Sequence, residues 1–413
     1  MKFDVQGSLF ALFLGALAAL PPISIDMALP ALGQIAHTLH VTPGVAQLTL
    51  SFFMAGFALS PIAYGPLSDR YGRRPMLLLG LALFTLGGFA CAVSGTLNLL
   101  LLARFVQGAG AGSGMTLAMA MVRDLFVGKK AQGRLAVITV VTNAAPMIAP
   151  ALGAALLSHG GWRAIYITTG VCGLLLLLAI LFSLRETAPR QHLHRDPLMT
   201  VMARSYRRVF GHRRAMAYIV LNALAFSWMF AYITGSPLIY IDTFHTSTTL
   251  FAVLFACTGA GIVVGATLNG KLAQREVQSR WLLLGGVITA ACCTSALVIL
   301  TLTRSMSLWS FLPLLTLTTA SFGMVAPSAA HGALEPLGEV AGVGGGLLAS
   351  IQMLFAAGTS SIVALLFPRI GVLAMTGSMC TLAIVAVALA MSLTRRAVPT
   401  GVGEAQEAIV SLH

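Results

Sequence analysis

The chain has 413 residues, of which 57% are hydrophobic and 9% charged, with a net charge of +13 and a mean hydropathy of +0.89. Soluble domains carry charge on about a quarter of their residues, so this composition excludes one. It calls for a polytopic membrane protein, whose basic excess in short loops between apolar runs argues against a nucleic-acid surface.

An apolar helix needs about 20 residues to cross the hydrocarbon layer, and backbone polar groups in lipid must be satisfied within the segment. The first such run, 8–32, is longer than a signal-peptide core, shows no cleavage site and is expected to be retained. It holds Asp26 among Pro21, Pro22 and Pro30. A charge at that depth costs about 2.5–3.5 kcal/mol on insertion scales, so Asp26 should be neutral, paired or facing water. The prolines favour a bent helix lining a cavity.

A second run, 46–67, leads into the loop Gly65-x-Leu67-Ser68-Asp69-Arg70-x-Gly72-Arg73-Arg74, too short to separate its flanking helices and so charged that it must lie at a membrane face. Runs 75–94 and 97–121 follow, the latter holding Arg104 and Gln107 and continuing as Gly108-Ala-Gly-Ala-Gly-Ser-Gly114, with Asp124 just beyond it. Asp26 and Arg104 each lie about seven residues from the outer end of their span, roughly 10 Å deep at 1.5 Å per residue, which permits a salt bridge. Run 135–157 contains Asn143, Pro146, Ala149, Pro150 and Gly153, and run 163–184 completes the first half. Small residues here permit close helix approach, and the paired prolines predict a bend.

Residues 185–214 form the one long polar segment, read as a flexible cytoplasmic linker between an N-terminal six-helix bundle (1–184) and a C-terminal one (215–394), with 395–413 as a tail. The second half holds runs 215–239, 249–270, 281–302, 307–333, 343–367 and 371–393. In the first of these, Phe226 and Phe230 share a face with Tyr232 nearby, a candidate wall for flat, partly apolar substrates. Gly270-Lys-Leu-Ala-Gln-Arg275 echoes Gly65-Pro-Leu-Ser-Asp-Arg70 after 205 positions, with Gln274 in place of the acid. Such an echo suggests two similar bundles holding substrate between them near mid-membrane. The fold class is therefore all-α integral membrane, with twelve transmembrane helices in two pseudo-symmetric bundles.

With the N-terminus in the cytoplasm, every Lys and Arg except Arg104, Arg163, Arg304 and Arg369 falls on that side or at its helix ends. That asymmetry obeys the positive-inside rule and places both termini in the cytoplasm. The six cysteines lie inside apolar runs and read as small core residues, and the histidines show no metal-ligand spacing. No cofactor or metal is implied, and no phosphate-cradling loop for ATP is present.

The loop 65–74 resembles the loop 2–3 motif of the major facilitator superfamily, and Arg104-x-x-Gln107-Gly108 is similar to its helix 4 motif. Ala145-x-x-x-Ala149-Pro150-x-x-Gly153-Ala154 resembles the helix 5 motif of proton-driven exporters, with Ala for Gly at three places. Ser24-Ile-Asp26-Met-x-Leu-Pro30, Met121-Val-Arg-Asp124 and Ser236-Pro-Leu-Ile-Tyr240 narrow the likeness to drug:proton antiporters of the bicyclomycin and chloramphenicol resistance type, the Bcr/CflA branch.

The resemblance implies no enzyme but a monomeric inner-membrane carrier that exports a drug-like solute against protons by alternating access, with the lipid bilayer as its surroundings. Asp26 would titrate and Arg104 would set how readily it holds its proton. Gly65, Asp69, Arg70, Gly72, Arg73, Arg74 and Asp124 would form the cytoplasmic gate, with Asp69 and Asp124 pairing with Arg73. Pro146, Ala149, Pro150 and Gly153 would shape the seam between bundles. Gln107, Asn143, Phe226, Phe230 and Tyr232 are the candidate substrate contacts. The alternative is a proton-coupled uptake symporter on the same fold. Sugar and peptide importers typically have more polar second-half helices than this chain.

Overall fold

The computed structural model describes residues 7–187 and 198–395, and among them every regular element is helical. Helix α1 (Ser8–Asp26) contains Pro21 and Pro22 and ends at Asp26 itself. The chain runs on through a tight turn, Leu29–Ala31, and a short helix, Leu32–Thr38, so the first element extends beyond the expected 8–32. Helices α2 (Leu48–Tyr71), α3 (Arg73–Val93) and α4 (Leu97–Leu125) follow. A continuous helical stretch, Gly128–Ser183, bends at Gly161 (φ 69°, ψ −176°) into α5 (128–160) and α6 (162–183). That left-handed φ suits glycine, and the Trp162 N–H beyond it donates to Gln34 Oε1 at 2.7 Å.

The second half comprises α7 (Arg213–Pro237), α8 (Thr248–Gln274), α9 (Ser279–Leu302), α10 (Leu308–Leu334), α11 (Ala341–Ile370) and α12 (Leu373–Arg395). Ten helical stretches are apolar enough to cross a membrane by length and composition. The bend at Gly161 divides one of them, and α4, diluted by Arg104, Gln107 and its glycines, supplies the twelfth pass among the described residues. Leu86, Val93, Phe182, Leu302 and Trp309 are exposed on the exterior, a surface suited to lipid.

Within the first bundle α4 packs on α2 and α3, and α5 on α1; in the second, α10 packs on α8 and α9, and α11 on α7. The halves repeat one device. A β-carbon on Gly56 of α2 would strike the Phe105 carbonyl of α4, and one on Gly265 of α8 would strike the Ala320 carbonyl of α10. Backbone-to-backbone approach of this kind is how helices associate where no hydrophobic effect drives them together. Between bundles, α2 lies along α11 and α5 against α8.

Two expectations need amending. Part of the anticipated flexible linker is a linker helix, Leu198–Gly211; residues 188–197 and the tail from 396 lie outside the described residues. Its fully buried Val209 packs with Ala215, Ile219, Ala333 and Leu337, and its Tyr206 hydroxyl donates to the Ile62 carbonyl of α2 at 3.4 Å. The apolar residues recur at helical spacing on one side of it, which a reading by charge content overlooks. Of the six cysteines, all free, Cys91 and Cys293 are core residues, but Cys172, Cys257 and Cys292 face outward. In lipid the outside of a helix is as apolar as its inside, so hydropathy alone does not separate the two.

Candidate functional site

Asp26 is 3% exposed, and its Oδ1 has no hydrogen-bond partner. It stands where α1 gives way to the turn at Leu29–Ala31, at the junction of three elements. Gly153 of α5 lies against the backbone of Met27, so closely that a β-carbon there would collide with the Met27 carbonyl. Pro150 and Ala149 of the same turn are buried, and Pro146 is half-buried. From the second bundle, α7 packs against the Leu29–Ala31 turn that follows the acid. The helix 5 motif and the acid of α1 thus meet at one place.

Arg104 is also fully buried, but it does not pair with Asp26. Its Nη1 donates to Gln107 Oε1 at 2.8 Å, its Nη2 to the Ser24 carbonyl at 3.3 Å and its Nε to the Thr49 carbonyl at 3.3 Å. The guanidinium lies 4.3 Å from the centroid of Phe53 and 5.5 Å from that of Tyr166. Carbonyl dipoles and ring faces therefore stabilise the charge in place of a counter-ion. The expected salt bridge matched the two groups in depth only. Residues on a helix advance by roughly 100°, so Asp26 sits about 200° around α1 from Ser24, whose carbonyl reaches Arg104. Arg104 grips the backbone of α1 two residues before the acid.

Gln107, a candidate substrate contact, is buried and held by neighbours: its Oε1 accepts from Arg104 and from the Cys91 thiol, and its Nε2 donates to Thr169 Oγ1 at 3.1 Å. Phe226 and Phe230 differ in exposure. Phe226 meets Phe322 of α10 edge-on at 5.0 Å, whereas Phe230 is buried. Tyr232 stacks on Phe255 at 5.6 Å and shares a hydrogen bond with Thr258 of α8. Asn143 is exposed on α5, one turn from Met147, which lies 3.6 Å from where a β-carbon on Gly259 of α8 would sit. Phe226 is half-buried.

At the basic end of the first bundle Arg73 is the centre. Its Nη1 lies 2.5 Å from Asp69 Oδ1 and donates to Ser68 Oγ at 2.5 Å, while its Nε donates to Asp124 Oδ2 at 2.8 Å. The pairing of Arg73 with both acids matches the expectation. Glu186, just past α6, was not singled out from sequence. Its carboxylate accepts from the Arg73 N–H at 2.8 Å and the Arg74 N–H at 3.2 Å, capping α3 at the end where a negative charge is favoured. Gly72 (φ 101°) passes beneath that carboxylate, and the Arg74 Nη2 reaches the Leu181 carbonyl at 2.8 Å. The signal was an acid, one of two in the basic segment 185–214. Arg70 is exposed, over the Tyr71 ring, and stands apart from the cluster, whereas the Gly65 carbonyl accepts from Ser68 Oγ at 2.8 Å and so joins it through the backbone.

The sequence profile described as Major Facilitator Superfamily matches residues 12–354. The chain is 33% identical over 361 residues to a Bacillus subtilis protein called uncharacterized MFS-type transporter YdgK, covering 86% of this chain and 88% of that one. It is 27% identical to a bicyclomycin resistance protein homolog of Haemophilus influenzae (86% and 89% covered) and 26% to multidrug resistance protein D of Escherichia coli (87% and 89%). Among solved structures it superposes on a bacterial homolog of the human lysosomal transporter Spinster, inward-facing and unoccupied. The TM-score is 0.74, with 16% identity and coverage of 95% and 98%. On a D-xylose–proton symporter the TM-score is 0.70, with 16% identity and coverage of 94% and 97%. These likenesses establish the fold.

Proposed function

Since the chain belongs to the Major Facilitator Superfamily, we propose that it exports drug-like or small amphipathic solutes in exchange for protons, by alternating access, across a bacterial inner membrane. Relatives called bicyclomycin and multidrug resistance proteins support the export reading. The observation that carries the coupling is Asp26, a buried carboxyl group with an unpartnered oxygen where α1, α5 and α7 converge. An acid so placed is costly to keep charged and sits where bundle movement changes its surroundings. When the seam opens to the outside, water reaches the group and a proton binds; when it opens inward, the proton leaves.

Arg104 couples this to the fold indirectly. Holding the Ser24 carbonyl, it fixes the last turn of α1 relative to α2 and α4, so movement of that turn is felt at both Arg104 and Asp26. Asn143 and Phe226 contact the solute from opposite bundles. The Arg73 cluster closes the cytoplasmic side of the first bundle, both termini are cytoplasmic, and the monomer is the working unit. One charge falling through 100 mV releases about 2.3 kcal/mol, enough for a roughly fortyfold gradient of a neutral solute.

The test is proteoliposome transport driven by an imposed pH gradient. Asp26→Asn should fold normally and bind solute yet lose proton-driven movement altogether. Full proton-driven transport by that variant would end the proposal.

A further inference from the structure

Between α4 and α5, at the same end as the Arg73 cluster, lies a cleft of about 430 Å³ lined by Phe126, Lys129, Lys130, Gly133, Arg134 and Val137. Three of its six lining residues are cations and none is an acid. Lys129 and Lys130 are exposed, and the Arg134 guanidinium lies 5.3 Å from the centroid of the Phe126 ring. Asp124, two residues before Phe126, is held by Arg73.

Both lysines fall in the first turn of α5, where Val127 offers no capping side chain and no acid is present. Cations are unfavourable at a helix N-terminus, where uncapped N–H groups already present positive charge. Such a site favours an anion. Beside the three cations its lining includes the apolar Phe126 and Val137, and Val127 alongside is 86% exposed. A soluble anion has no use for such surroundings, whereas a phospholipid brings acyl chains with its phosphate.

We propose that this cleft binds the phosphate of an anionic phospholipid headgroup from the cytoplasmic leaflet. Basic pockets at that side of transmembrane bundles have the chemistry to do so. Binding neutralises the start of α5, the helix that carries Pro146, Pro150 and Gly153 to Asp26. The inference depends on the orientation of the chain in the membrane, not on its solute or on proton coupling.

The experiment is native mass spectrometry of the full-length protein in detergent, titrated with phosphatidylglycerol or phosphatidylcholine. Wild type should retain phosphatidylglycerol preferentially. The variant K129Q/K130Q/R134Q should lose that preference by roughly a hundredfold, at about fivefold for each of the three cations removed. Gly133→Glu is an independent probe, because a β-carbon there meets nothing within 4 Å. It places an acid in the cleft without a clash and should weaken retention likewise, while K129R/K130R should preserve it. Unchanged preference in both the triple variant and Gly133→Glu overturns the proposal. Complete displacement of the lipid by low-millimolar inorganic phosphate also overturns it, by identifying a soluble phosphate as the ligand.

Discussion

The two bundles share a backbone plan and differ in polar chemistry. Each brings two helices together at glycines, α2 with α4 and α8 with α10. In the first, the buried polar groups include full charges: Arg104 in a cage of carbonyls and rings, Asp26 at the seam, and Arg73 between two acids. In the second, they are neutral. Asn222 Nδ2 donates to Gln352 Oε1 at 2.6 Å, Thr234 and Ser360 share a hydrogen bond at 2.6 Å, and Ser328 donates to Asn269 at 3.2 Å. Gln274 and Arg275, the echo of Asp69 and Arg70, are exposed and outside the second bundle's core. Neutral pairs hold their geometry across a pH gradient, whereas charged groups respond to it. The proton coupling proposed above therefore rests on the first bundle, and the second enters that proposal as the surface against which it moves.

Substitutions that erase the difference should cost most in the first bundle. Arg104→Ala strands the Gln107 amide and two carbonyls, and hydrogen bonds to a charged group contribute about 1.5–3 kcal/mol each. A loss of about 3 kcal/mol or more, with transport abolished, is expected in thermal unfolding and uptake assays, and Arg104→Lys should recover part of both. Gly153→Val drives a side chain into the Met27 carbonyl. Overpacking of this kind costs about 1–3 kcal/mol, and it should also push α1 from α5 and abolish coupling, as pH-jump transport would reveal.

Asp124→Asn removes one of the two acids on Arg73. A cost of about 1.5–3 kcal/mol is expected for this largely buried, hydrogen-bonded pair, and cross-linking across the cytoplasmic side should report a looser closed state. The smallest effect belongs to the second bundle. Asn222→Leu should cost about 1–2 kcal/mol by leaving the Gln352 amide unpaired, and Asn222→Leu with Gln352→Leu should return most of it. A double-variant cycle that found coupling there as large as at Arg104 would break the comparison.

The spans, their number and the motif loops could be read from the chain alone. Hydropathy and charge act locally, and a lipid environment imposes one length and one backbone solution on each crossing. The same holds for the pairing of Arg73 with Asp69, four positions away, whereas Asp124, 51 positions away, was matched through the family resemblance. Depth along a helix is also legible, because rise per residue is constant. Azimuth is not. Asp26 and Arg104 share a depth, yet packing left one with an unpartnered Oδ1 and gave the other the Ser24 carbonyl, Phe53 and Tyr166. Gln107 was spent on that cage and Glu186 recruited as a cap, 113 positions from the Arg73 N–H it accepts from. Which neighbours a side chain meets is decided when helices from distant parts of the chain close on one another, and no local pattern encodes that encounter.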